Sequence, residues 1–137
     1  MPSRIQTLRR QAFKRQQGRC FYCSVSMWLS SPTELAGSTA EHLAYARLRC
    51  TAEHLVARCD GGGNSPGNIV AACAHCNATR HKRKRPPVPF VYRNEVLARV
   101  RRGGWHHPWV YRHGLVSSPR INAESQTRKS AGQPQHV

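Results

Sequence analysis

The sequence predicts a small α+β domain with flanking helices and a disordered C-terminal tail. Three observations carry that expectation. Two Cys-x2-Cys pairs of identical spacing, Cys20/Cys23 and Cys73/Cys76, lie far apart in the chain. Between them, two strand-like stretches flank a loop, "RCDGGGNSPGN", that Gly61 to Gly63, Asn64 and Pro66–Gly67 punctuate too heavily for regular structure. Helical patterns then stand on both sides of this centre.

Residues 3–17 read as a helix. Ser3 and Gln6 fit a capping box, Ile5, Leu8, Ala12 and Phe13 form an apolar stripe, and Gly18 suits a C-terminal cap. "CFYC" at 20–23 is a tight turn offering two thiols. Residues 39–48, "TAEHLAYARL", fit a short helix with Leu43, Ala46 and Ala44 or Leu48 inward. Residues 49–57 fit an extended segment, and "NIVAAC" at 68–73 a short buried strand. "CAHCNATRHKRK" then turns into a helix that Pro86–Pro87 ends. "RNEVLARVRR" is a further helix, followed by Gly103–Gly104 and the aromatic "WHHPWVYRH". From Ser117 onward almost nothing is available to bury, so 117–137 is expected to be a disordered basic tail.

The chain has 137 residues, enough for one domain, with 22 Lys plus Arg against 6 Asp plus Glu and a net charge of +16. Such an excess calls for a polyanionic partner, most simply nucleic acid. A membrane surface is the rival, but there is no apolar run of spanning length and no basic amphipathic helix ending in aromatics. "MPSRIQTLRR" lacks the apolar core of a secretory signal, so a cytoplasmic, reducing setting is expected. There, six cysteines read first as ligands or free thiols. Two Cys-x2-Cys pairs suit one tetrahedral structural Zn²⁺. Zinc binding of this kind contributes about 10–16 kcal/mol to folding. Cys50 and Cys59 fit no ligand scheme and read as small buried or partly exposed residues.

"TAEHL" occurs twice, giving Glu41–His42 and Glu53–His54. Only the second copy leads into the Gly-rich loop, Asn68 on a strand, the Cys73/Cys76 knuckle and Asn77 on a helix. That ordered set, "CTAEHLVARCDGGGNSPGNIVAACAHCNATRHKR" (50–83), resembles the HNH endonuclease motif in its four-cysteine zinc variety, with "CFYC" upstream in keeping. The resemblance covers about residues 15–85 and implies a ββα-metal fold. Glu41 and His42 read as a coincidence of sequence on a helix.

By that resemblance, His54 is the general base for hydrolysis, and a histidine titrates in the right range for the task. Glu53 and Asn77 hold a catalytic divalent ion, and Asn68 bonds across the loop and keeps the histidine in line. Glu stands where relatives often have Asp, and Asn77 where many have His, which favours Mg²⁺ or Mn²⁺ over a softer ion. His81, one turn after Asn77, is a further candidate ligand, or a phosphate contact or solvated side chain. Arg80, Lys82, Arg83, Lys84 and Arg85 crowd the end of the same helix. They complement its dipole and are expected to contact phosphate. Trp105 and Trp109 are expected to pack rather than stack on bases, and His106 and His107 are given no metal role.

The sequence thus predicts a nuclease domain over 1–116, with core motif 20–85 and a helical, aromatic extension 90–116. It is expected to cut DNA, double-stranded in the first instance, by a one-metal mechanism. The competing expectation is a catalytically inert, zinc-dependent nucleic-acid-binding module.

Overall fold

The computed structural model describes residues 1–35 and 43–116. Glu41, His42 and the tail 117–137 lie outside the described residues.

Ser3 opens helix α1 (Arg4–Arg15) with a reciprocal capping box: its hydroxyl accepts from the Gln6 amide, and the Gln6 side chain caps the Ser3 amide. Leu8 and Ala12 are its buried face. Gln17 and Gly18 then take left-handed backbone angles, φ 56° and 73°, and the Gly18 amide closes on the Phe13 carbonyl. This reversal sends the chain straight into the first cysteine knuckle. Ser24, at φ 66°, turns it back, so that Cys20 and Val25 share a backbone hydrogen bond.

After a short helix α2 (Leu43–Ala46), strands β1 (Cys50–His54) and β2 (Ile69–Cys73) pair antiparallel. Their register sets Cys50 opposite Cys73 and His54 opposite Ile69. Helix α3 (Ala74–His81) follows β2 without a linker. Cys73 is its N-cap, with Sγ accepting from the Cys76 amide at 3.4 Å. The chain order is therefore strand, loop, strand, helix: a mixed α+β unit built on one two-stranded sheet.

β2 is buried along its whole length, yet it has β1 on one side only. Its outer backbone groups need partners. Arg15 donates to the Ile69 carbonyl, and the Gln16 amide both donates to and accepts from Ala71. The Phe21 amide adds a bond to the Ala71 carbonyl, and the Cys73 amide donates to Cys20 Sγ. The end of α1 and the first knuckle thus occupy the place of a third strand.

Two further helices close the far side. α4 (Pro89–Arg101) begins four residues earlier than the pattern "RNEVLARVRR" suggests, because Pro89 sits in the first turn, where a missing N–H costs nothing. It buries Tyr92, Val96 and Val100 at helical spacing. α5 (Pro108–Arg112) buries Trp109 and Val110. Trp109 lies against Tyr45, ring centroids 4.5 Å apart, so it is a packing residue, as its sequence context suggests. No helix among the described residues is long and apolar enough to cross a membrane.

The loop after β1 makes a 3-10 turn (Arg58–Asp60) and passes through Gly61 at φ 89°. At Gly62 the backbone runs so close to residue 56 that a Cβ would stand 1.7 Å from the Val56 carbonyl oxygen. Gly62→Ala must therefore move the loop. We expect a loss of about 1–3 kcal/mol in urea unfolding, typical of overpacking, with zinc content unchanged. A variant as stable as the parent would show that the loop does not hold this approach.

Candidate metal and nuclease site

Cys20, Cys23, Cys73 and Cys76 are buried, and their sulfurs all lie within 4.8 Å of one another. Cys23 and Cys73 are 3.9 Å apart, far beyond a disulfide's ~2.05 Å bond. Zinc–sulfur bonds of about 2.3 Å in a tetrahedron set sulfurs about 3.8 Å apart, so the cluster fits one zinc ion. Three of the sulfurs accept an N–H, and the fourth lies against a ring nitrogen. Cys20 takes the amides of Tyr22 and Cys73, and Cys73 that of Cys76. Cys76 takes the indole N–H of Trp105 at 3.3 Å, and Cys23 lies 3.1 Å from His106 Nε2. Donors of this kind stabilise thiolates. Burial, then the charge of His75, lowers the His106 pKa to about 4. His106 Nε2 packs against the Cys23 sulfur from outside the four-sulfur set.

Burial acts to raise the Cys20, Cys23 and Cys76 thiols. In Cys23 and Cys76 it wins, and they sit well above the ordinary range. In Cys20 the hydrogen bonds of Cys23, Cys73 and Cys76 outweigh it and hold the group well below. Cys50 stays apart: it is buried, and burial pushes its thiol up to about 11. Cys59 is exposed.

The second group of side chains hangs on β1 and α3. Glu53 is only 2 % exposed. Its Oε2 accepts from the Tyr22 hydroxyl at 3.0 Å and faces Arg80 Nη1 at 3.6 Å. Its Oε1 meets His81 Nε2 at 3.0 Å, and the His81 side chain is half exposed. The contact is a hydrogen bond between a buried carboxylate and a half-exposed imidazole, two groups of ligand-capable chemistry. Asn77 lies one turn before His81. Its Nδ2 donates to Thr51 Oγ1 at 3.0 Å and the Ala52 carbonyl at 3.3 Å, which leaves Oδ1 as its ligand-capable atom.

His54 ends β1 and is partly exposed. Its Nε2 is 2.8 Å from Asn64 Oδ1, and the same Asn64 atom lies 3.4 Å from Arg58 Nη2. Arginine only donates, so that atom is an acceptor and His54 Nε2 carries the hydrogen. Nδ1 is then the basic nitrogen of the neutral ring. Behind it, Asn68 spans the base of the loop, accepting from the Val56 amide and donating to the Val56 and Gly63 carbonyls.

Arg80 departs from its expected place among exposed cations. It is 7 % exposed, bound to Glu53 and to the Pro87 carbonyl, because helical spacing turns it inward from its basic neighbours. Arg83 is half exposed and pairs with Glu95 at 2.8 Å. Lys82, Lys84 and Arg85 are exposed. His107 caps α5, its Nδ1 accepting from the Trp109 amide.

Sequence reasoning missed Tyr22, Asn64 and the pair Trp105–His106. Asn64 read as one more turn residue in a Gly-rich run, and within "CFYC" only the two thiols were given a role. A family model described as HNH endonuclease matches residues 41–83, which hold β1, the loop, β2 and α3. No curated protein and no solved structure matches the chain.

Cys76→Ser removes one of four ligands. Because structural zinc supplies about as much free energy as a small domain's whole stability, the purified variant should hold less than one zinc per chain and melt without a cooperative transition. Cys59→Ser should keep zinc and melt like the parent. Full zinc and a parental melt in Cys76→Ser, by metal analysis and calorimetry, would remove Cys76 from the centre.

Proposed function

We propose that the chain, whose residues 41–83 match a family model described as HNH endonuclease, is a metal-dependent endonuclease that hydrolyses phosphodiester bonds of double-stranded DNA. The observation that supports this reading is that the motif residues lie on one strand–loop–strand–helix unit, in which His81 of α3 reaches Glu53 of β1. Glu53 and His54 end β1, Asn68 precedes β2, and Asn77 and His81 lie on α3. A module that only bound nucleic acid would not need this set.

In the proposed mechanism, His54 Nδ1 takes the proton of the attacking water. Asn64 holds its Nε2–H, and the Asn68 clamp fixes the backbone that carries it. Glu53, Asn77 and His81 would hold Mg²⁺ or Mn²⁺, which supplies charge stabilisation at the scissile phosphate and the departing oxygen. Lys82, Lys84 and Arg85, with Arg83 once released from Glu95, bind neighbouring phosphates and set the duplex in place. The working unit is residues 1–116, in which α4, α5 and the Trp105–His106 turn brace the zinc centre. The basic tail lies outside it.

One observation favours the second reading, an inert zinc-dependent nucleic-acid-binding module: Glu53 is buried and already faces Arg80. A supercoiled-plasmid time course separates the two. With Mg²⁺ or Mn²⁺ the parent should nick, and His54→Ala should be about 10²–10⁴ slower, with zinc content and DNA affinity unchanged. A parent that never cuts with any divalent ion yet binds duplex DNA would establish the module instead. In that case binding should fall with salt at a log–log slope of about −4 to −5, as for roughly five phosphate contacts.

A further inference from the structure

The zinc knuckle carries a side chain that neither zinc binding nor proton transfer uses. Tyr22 stands between Cys20 and Cys23, and its ring is fully buried. Phe21 and Tyr92 meet it edge-on, with centroids 5.2 Å and 4.8 Å away. Its hydroxyl reaches out of this apolar packing to one polar atom, Glu53 Oε2. A carboxylate oxygen only accepts, so the Tyr22 hydroxyl is the donor.

The two oxygens of Glu53 are thereby made unequal. Oε2 has Tyr22 at 3.0 Å and Arg80 at 3.6 Å, and among the described residues Oε1 has only the half-exposed His81 as hydrogen-bond or ion-pair partner. A glutamate side chain has three torsions to fix, and burial alone does not choose which oxygen faces the ion. We propose that Tyr22 is a positioning residue for the divalent ion: by holding Oε2 it presents Glu53 Oε1 beside His81, and so ties the ion's affinity to the zinc knuckle. A partner that orients a ligand in this way typically changes metal affinity by about 10–100-fold when removed.

The proposal rests on the reading of Glu53 as an ion ligand, and the experiment keeps the two apart. Mn²⁺ binding to the zinc-loaded full chain is measured by the electron paramagnetic resonance of free Mn²⁺, for the parent, Glu53→Gln, Tyr22→Phe and Tyr92→Phe. The last variant is the control. It also loses a buried phenol hydrogen bond, to the Cys76 carbonyl at 2.7 Å, but touches neither oxygen of Glu53. Glu53→Gln should lose the site. Tyr22→Phe should retain one zinc and bind Mn²⁺ about tenfold more weakly, while Tyr92→Phe stays within about twofold of the parent. Parental binding in Glu53→Gln would overturn the ligand reading and this proposal with it. Loss in Glu53→Gln with parental binding in Tyr22→Phe would overturn the positioning role alone, as would equal weakening in both tyrosine variants. If Tyr22→Phe does not retain zinc, 3-fluorotyrosine labelling of the parent supplies the second measurement. The chain has four tyrosines, so Phe variants of Tyr45, Tyr92 and Tyr111 assign the Tyr22 resonance by elimination. Mg²⁺ should shift that resonance most; an unmoved Tyr22 signal overturns the proposal.

Discussion

Four buried sulfurs within 4.8 Å of one another are the constraint on which the rest of the molecule depends. Four thiolates cannot share so small an apolar volume without a cation, because each buried charge costs several kcal/mol and they repel one another. A zinc ion would remove the conflict and fix two distant stretches of chain in one geometry. The first stretch follows α1 and the second joins β2 to α3, so the cluster stands where helix, sheet and knuckle meet.

Much of the remaining structure follows from that junction. The first knuckle lies along the open edge of β2, where the Phe21 amide and Cys20 Sγ satisfy backbone groups that a lone hairpin would leave bare. Gln16, carried to the same edge by the end of α1, completes the row. On the other side, Trp105 gives its N–H to Cys76 and His106 Nε2 lies against Cys23, which holds the chain between α4 and α5 against the centre. The knuckle also brings Tyr22 to Glu53. A two-stranded hairpin is marginal in water by itself; here it is held on its edge, at its end and from the helix that follows.

What was legible in the sequence is what local spacing encodes. Ser3 with Gln6, the repeated Cys-x2-Cys, the glycines of the loop and the apolar "NIVAAC" run each specify structure within a few residues, and α1, the paired knuckles and β2 lie where these signals put them. Pro89 was a readable signal too. The early start of α4 follows from its fixed φ, whereas the charged pattern draws the eye to residues 93–102. The site was legible in part. Cys20, Cys23, Cys73 and Cys76 converge as their spacing implies, whereas the hydrogen bond from His81 to Glu53 was not among the roles that spacing offered for His81.

The rest depends on contacts between residues far apart in sequence. Tyr22 meets Glu53 across 31 positions and His106 meets Cys23 across 83, and no periodicity reports such pairs. Arg80 is the reverse case: a cation in a basic run that helical geometry turns inward onto a carboxylate.

The central claim is that four cysteine sulfurs, and no other ligands, hold one zinc ion that organises this unit. X-ray absorption at the zinc edge of the purified chain tests it most directly. The account predicts one zinc per chain with four sulfur neighbours at about 2.3 Å and no nitrogen shell. A nitrogen neighbour at about 2.0–2.1 Å, as His106 would give on replacing a sulfur, or a folded chain without zinc, would contradict it.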